Sequence, residues 1–533
     1  MSSPSTAPTA PTAPIVRAAA GALEGRFDGA VRVFKGIPYA AAPVGALRWR
    51  APEPAPAWSG TRAFTDFGPA CVQPVYRTGG IYAQDLGPQS EDCLSLNVWT
   101  PAEAHNAPVI VWIHGGSLTT GSSREVLYDG ANLARRGVIV VSINYRLGIL
   151  GYLAHPELSA ESDHHVSGNY GLLDQIEALR WVHRNIAAFG GDPANVTIAG
   201  ESAGGLSVMY LMASPLARGL FAKAIAQSAY MVSMPELRER RFGEIPAEAI
   251  GAHVATALNA ASIAALRAMD AQQLIAAIAP TGYFPFGNVD GYVLPRQLVD
   301  TFDRGEQAHV PILAGFNSGE IRSLTFLTPP PPASPAAYEA SIHDHYGDLA
   351  PEFLRLYPSD NLQESMWATT RDALYGWTAE RLAAKQTAAG SPSFLYLFAH
   401  GYPAMEAAHL HGFHASELPF MFGNTDRTPP FWPPIPATDR EHALADAMVD
   451  YWTSFARAGA PTSSHASQWA AYGSTRAFMH FADDGPHAGE HVLPGMYELH
   501  EQAVCRRRAS GDQPWNWNVG IISPRLTQNA ACR

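Results

Sequence analysis

The chain has 533 residues, 47% of them hydrophobic and 16% charged, a globular composition with length enough for one large core. Its formal charge of −12 is spread over scattered acidic residues, and no basic stripe argues for nucleic acid. No run of 18 apolar residues exists to form a spanning helix, and no interval of a few dozen residues repeats.

Residues 1–15 are rich in Ser, Thr, Ala and Pro, without the basic and apolar regions of a secretory signal, and read as a disordered tail. Residues 16–533 read as a single domain. Asp28-Gly29 between short apolar runs signals a hairpin over 26–34. Residues 109–113 and 138–143 are apolar runs of strand length. Leu172, Leu173, Ile176, Leu179, Val182 and Ile186 recur at helical spacing, and Gly190-Gly191 ends that helix. A strand over 196–199 follows, a helix starts after Ser202, and a further strand is predicted over 221–225. Later strands are expected over 310–314, 394–398 and 478–481, with an amphipathic helix through Leu444, Met448, Tyr451, Trp452 and Phe455. The five prolines within 328–335 form a stiff loop. Strands alternating with helices predict an α/β fold, a mostly parallel sheet covered on both faces with large helical insertions.

Gly200-Glu201-Ser202-Ala203-Gly204 fits G-x-S-x-G, and its setting carries more weight than the pattern. An apolar strand precedes it and a helix-compatible run follows, the strand–turn–helix arrangement that lifts a serine into a strained, exposed position. A serine hydroxyl needs a base and a place for the oxyanion. His114-Gly115-Gly116-Ser117 directly follows the 109–113 strand, where a loop can turn its N–H groups toward Ser202. Ala203, at the positive end of the next helix, offers another N–H. Cys71 with Cys93 and Cys505 with Cys532 are neighbours in sequence. Sequence alone allows either disulfides, and with them a secreted or periplasmic location, or four reduced thiols in a cytoplasmic protein.

At these motifs the chain resembles the type B carboxylesterases, the family of the cholinesterases and bacterial p-nitrobenzyl esterases. The likeness runs from about Gly21 to about Gly459. It is carried by Leu47-Arg48-Trp49, Glu91-Asp92-Cys93-Leu94, Leu96-Asn97-Val98, residues 168–174 and the GESAGG stretch from Gly200 to Gly205. The resemblance implies an α/β-hydrolase fold and a serine ester hydrolase with no metal or organic cofactor, acting on a small-molecule ester. It makes Ser202 the nucleophile, and Gly116, Ser117 and Ala203 the oxyanion donors.

The family's acid sits in G-x-N-x-D-E-G. Here Gly315-Phe316-Asn317-Ser318-Gly319-Glu320-Ile321 aligns Glu320 but replaces the flanking Asp and Gly. The family's histidine, ahead of a Phe-Gly pair, selects His414 in His414-Ala415-Ser416-Glu417-Leu418 over His409 and His411. Cys71–Cys93 matches the family's first disulfide. Gly115 and Glu201 are expected to line the substrate site. So are Tyr283, Phe284 and Phe286, ahead of Val289-Asp290-Gly291, which otherwise read as core aromatics. Between Cys71 and Cys93 there is no Trp to seat a quaternary ammonium, and the aromatics there are Tyr76 and Tyr82. The expected substrates are small to medium uncharged esters. An amide, carbamate or thioester hydrolase, or a non-catalytic binding module of the same fold, are the alternatives.

Overall fold

A computed structural model describes residues 13–74, 80–515, 520–527 and 532. Its centre is an eleven-stranded sheet: β1 (Arg26–Asp28), β2 (Val31–Pro38), β3 (Ser95–Pro101), β4 (Ala107–Ile113), β5 (Ile139–Ile143), β6 (Gly191–Glu201), β7 (Lys223–Gln227), β8 (Ile312–Asn317), β9 (Ser393–Phe398), β10 (Ala477–Ala482) and β11 (Gly485–Glu490). The spatial order is β11-β10-β9-β8-β7-β6-β4-β5-β3-β2-β1. From β5 across to β10 every pair is parallel, and antiparallel pairs close both edges. This is the mostly parallel α/β sheet expected from the strand–helix alternation, in the α/β-hydrolase arrangement that the family resemblance implies.

The central strands are buried on both faces, which is why β4, Ala-Pro-Val-Ile-Val-Trp-Ile, reads as a continuous apolar run. Helix α1 (Tyr170–Asn185) follows the predicted spacing, and Gly190, at φ 91°, ends the short 3₁₀ turn after it. Helix α2 (Ala203–Ala213) is buried along its whole length and therefore shows no polar face. Helices α3 (Leu362–Arg371), α4 (Trp377–Ala388) and α5 (Asp439–Ala458) complete the elements that matter for the site. The Asp28-Gly29 hairpin forms as predicted, with Asp28 opposite Val31.

Some boundaries move. The tail predicted to reach Ile15 ends earlier, because Ile15–Ala18 is a strand paired with Gly21–Glu24, while residues 1–12 lie outside the described residues. The strand predicted over 310–314 starts at Ile312, after Pro311, which has no N–H to give a ladder. Pro335 belongs to the helix Pro335–Tyr346, whose cap is Ser334, and not to the loop. Both cysteine pairs are disulfides, Cys71–Cys93 and Cys505–Cys532.

Several residues of the resemblance turn out to be structural. Arg48 forks onto Glu91 (Nη2–Oε2 2.5 Å), and Arg146 pairs bidentately with the buried Asp174 at 2.7 and 2.8 Å. Both pairs satisfy charges that would otherwise be stranded in the interior. Among the described residues no helix is long and apolar enough to cross a membrane.

Candidate active site

Strand β6 runs into Ser202, whose backbone sits at φ 58° and ψ −122° before α2 begins at Ala203. A non-glycine residue reaches that conformation only when its surroundings enforce it. Here the Ser202 N–H donates to the Gln227 carbonyl at the end of β7 (2.9 Å), and the flanking glycines clear the space. A Cβ on Gly200 would lie 2.5 Å from the Gly204 carbonyl carbon, and one on Gly204 would lie 2.1 Å from the Ile113 carbonyl oxygen. The motif's glycines are thus a backbone-to-backbone requirement.

The loop after β4 turns sharply at Gly116 (φ 100°), Ser117 (φ 56°) and Leu118 (φ 57°). Gly115 packs against Glu201 and Ser202, its added Cβ falling 3.2 Å from that of Ser202. Tyr145 Oη donates to the His114 carbonyl (2.9 Å) and its ring stacks on the imidazole, fixing the root of the loop. The N–H groups of Gly116, Ser117 and Ala203 give no hydrogen bond to a protein acceptor among the described residues. Of the three, Ala203 opens α2, where the helix dipole is positive.

Glu320 follows β8 and is fully buried. One carboxylate oxygen accepts the Asn317 N–H (2.8 Å), and the other meets His414 Nδ1. That pairing puts the ring proton on Nδ1 and leaves Nε2 as an acceptor. Glu201 Oε1 lies 3.0 Å from Nε2 but outside hydrogen-bond geometry. Burial works to lower the His414 pKa, but the carboxylates of Glu201, Glu320 and Glu417 outweigh it and raise it to about 9. Glu201 is itself driven well above the carboxylate range by burial, and it titrates linked to His414.

The acid loop and the histidine loop are joined directly. Gly319 N–H donates to the Gly412 carbonyl (2.7 Å), and Gly319 bridges Phe413 as a one-residue parallel pair. A Cβ on Gly319 would lie 2.5 Å from the Leu410 carbonyl oxygen. The Asp that the family pattern has here does not fit this approach of backbones, which accounts for the departure. His411 sits on the rim paired with Glu406 (2.8 Å), and His409 is exposed. Neither ring takes part in the pair with Glu320.

Three further side chains, Glu417, Tyr375 and Tyr82, take part. Glu417, three residues after His414, holds the loops together by accepting from Asn317 Nδ2 (2.6 Å) and Gln227 Nε2 (2.9 Å), and burial pushes its carboxyl up to about 7. Its place within the histidine motif could have pointed to it. Tyr375 sets its ring 5.3 Å from that of His414, from a π-helical turn (Asp372–Gly376) ahead of α4. Tyr82 Oη donates to the His414 carbonyl (2.8 Å), and its ring packs against Phe413 and Trp432. Tyr76 lies outside the described residues.

The three aromatics expected at the substrate site or in the core go to different places. Phe284 and Phe286 face one another at 5.1 Å, with Phe284 52% exposed, whereas Tyr283 packs on the separate cluster around Ile149 and Ile275. Gly287 N–H donates to Tyr210 Oη (3.3 Å), docking the Phe284–Phe286 segment on α2.

A serine on a strained strand–helix elbow, a buried histidine–glutamate pair and a backbone N–H at a helix start are the equipment of a serine ester hydrolase of the α/β-hydrolase class. The chain belongs to the carboxylesterase family, whose sequence model matches residues 12–491, and it is a carboxylic-ester hydrolase. It is 37% identical over 483 residues to the fumonisin B1 esterase of Sphingopyxis macrogoltabida, covering 87% of this chain and 86% of that protein. It is 36% identical over 471 residues to the para-nitrobenzyl esterase of Bacillus subtilis (86% and 92% covered). Among solved structures a PNB esterase superposes with a TM-score of 0.80 at 33% identity, covering 92% of this chain and 99% of that one. A carboxylesterase of Geobacillus stearothermophilus gives a TM-score of 0.78 at 32% identity (91% and 99% covered).

Proposed function

We propose that the enzyme hydrolyses small to medium uncharged carboxylic esters through an acyl-enzyme on Ser202. His414 Nε2 takes the serine proton as the hydroxyl attacks the ester carbonyl, then returns it to the departing alkoxide. Glu320 fixes the Nδ1–H tautomer and stabilises the imidazolium. The N–H groups of Gly116, Ser117 and Ala203 hold the tetrahedral oxyanion, each worth about 3 kcal/mol of barrier. Water repeats the sequence on the acyl-enzyme. Gly115 and Glu201 border the reacting centre, and Phe284 with Phe286 offers an apolar surface for the acyl chain.

The observation that carries this reading is the buried His414–Glu320 pair, whose Nε2 lies 3.0 Å from Glu201, the neighbour of a serine held at φ 58°. Ser202→Ala is expected to abolish both ester hydrolysis and labelling by an organophosphonate. Label persisting on another serine would refute the role of Ser202.

The preference for uncharged esters rests on the loop between Cys71 and Cys93. It holds no Trp, and Tyr82 is committed to Ser323 and the His414 carbonyl. A desolvated cation–π contact is worth about 2 kcal/mol, so p-nitrophenyl butyrate should exceed butyrylthiocholine in kcat/KM by about tenfold or more, after leaving-group calibration on a cholinesterase. The reverse order would sink this preference. The two disulfides favour an oxidising compartment over the cytoplasm. Thiol alkylation of all four cysteines in protein isolated from its source under native conditions would overturn that location.

A further inference from the structure

On the outer side of the acid loop lies a cavity of about 300 Å³ that contains none of Ser202, Glu320 and His414. One wall is helix α3, where Glu364, Trp367, Ala368 and Arg371 fall three and four residues apart and so share a face. The other wall is the loop itself, with Ser318, Gly319, Ile321 and Arg322, and His411 stands at the rim.

Two guanidinium groups line this space with donors left over. Arg371 gives Nε to Asp372 (2.6 Å) and Nη1 to the Ser318 carbonyl (3.0 Å), and its Nη2 has no acceptor among the described residues. Arg322 gives Nη1 to the His409 carbonyl (3.2 Å) and Nη2 to Glu364 (2.6 Å), and its Nε has no acceptor among the described residues. Its guanidinium lies 5.0 Å from the centre of the half-buried Trp367 ring.

Each guanidinium has one carboxylate partner, so the formal charges balance, but neither fork is filled. Asp372 sits behind the wall, where the Tyr357 hydroxyl also holds it (2.9 Å). Glu364 is 47% exposed, and an exposed pair of that kind contributes little and gives way readily. His411 is turned to Glu406. A planar guanidinium fork matches a planar carboxylate, and the indole with Ile321 supplies an apolar side.

We propose that this cavity binds a small organic carboxylate, its anionic head between Arg322 and Arg371 and its apolar part on Trp367. The volume stands at the small end of ligand pockets, which suits a molecule the size of benzoate.

The test is calorimetric titration of the full chain with sodium benzoate and with neutral benzamide at fixed ionic strength, before and after phosphonylation of the nucleophile. Benzoate is expected to bind saturably and to keep its affinity after phosphonylation, with benzamide about tenfold weaker or worse. Arg322→Gln and Trp367→Leu should each weaken benzoate about tenfold. Arg371 is spared because it also holds the acid loop. Absence of saturable binding, equal binding of benzamide, or unchanged affinity in Arg322→Gln overturns the proposal. Loss of binding on phosphonylation also overturns it, by placing the anion in the catalytic centre. A protein that takes no phosphonate label instead counts against the proposed nucleophile, and the Arg322 comparison still decides the cavity.

Discussion

The elbow at Ser202 and the paired loops bearing Glu320 and His414 meet at one site but are held by different forces. The elbow is a matter of backbone clearance: Gly200 and Gly204 leave no room for a Cβ against neighbouring main chain, and the Ser202 N–H is tied to β7. The two loops are held by polar side chains, with Glu417 bridging Asn317 and Gln227, and with Arg371 on the Ser318 carbonyl. Backbone clearance tolerates almost no change in sequence, whereas a side-chain network can be rebuilt around a substitution. That difference fits a nucleophile motif that matches the family without change; within the acid loop the exception is Gly319, whose close approach to the Leu410 carbonyl is again a matter of backbone clearance.

The largest test separates the histidines. His414→Ala should lower kcat by about 10⁵–10⁶, as removal of a triad base does, while His411→Ala should stay within a few-fold. Steady-state kinetics on folded variants decides between them, and near-full activity of His414→Ala would overturn the assignment. Next comes the elbow itself. Gly204→Ala forces a Cβ onto the Ile113 carbonyl oxygen, a clash that no side-chain rotation relieves. It should lower Tm by the equivalent of about 1–3 kcal/mol or more and remove most activity. Retention of wild-type Tm and rate would mean that the elbow has slack.

Gly319→Asp restores the family residue yet pushes the histidine loop away from Leu410 and Gly412. A displacement near 1 Å costs about 10² in kcat, so this variant should be impaired while remaining folded. A gain in activity would show that the loops accommodate side chains more freely than the elbow does.

The smallest effect is on pH. His414 acts as a base when neutral, so raising its pKa toward about 9 puts the acid limb of kcat/KM above the ordinary histidine value of 6.5. Activity should therefore climb with pH through that limb. Glu201→Gln removes the first of the carboxylates that raise it, and the limb should move to lower pH. A limb that stays in place would assign the shift to Glu320 and Glu417.

Legibility in the sequence followed the same division. The parallel core and the elbow were readable because apolar strand runs and obligatory glycines are local signals. Glu320 and His414 came from the family likeness, since a lone loop glutamate and one histidine among 20 carry little information by themselves. Tyr375 and Arg371 went unread because their roles arise when helices distant in sequence pack onto the acid and histidine loops. Tyr283, Phe284 and Phe286 read equally well as substrate-lining or as core aromatics. Adjacent residues on an irregular segment point to different clusters, and spacing alone does not reveal which.

The single-residue bridge between Gly319 and Phe413 also sets what can be exchanged with a relative. Because the Gly319 N–H and the Gly412 carbonyl are partners, the segments carrying Glu320 and His414 form one transplantable unit nearly a hundred residues apart in sequence. A chimera receiving a relative's acid loop alone would set an Asp against the native Leu410 carbonyl. One receiving both segments would bring its own clearance with it. Recombination between family members should therefore succeed when crossovers keep both segments from the same parent, and fail when a crossover falls between them.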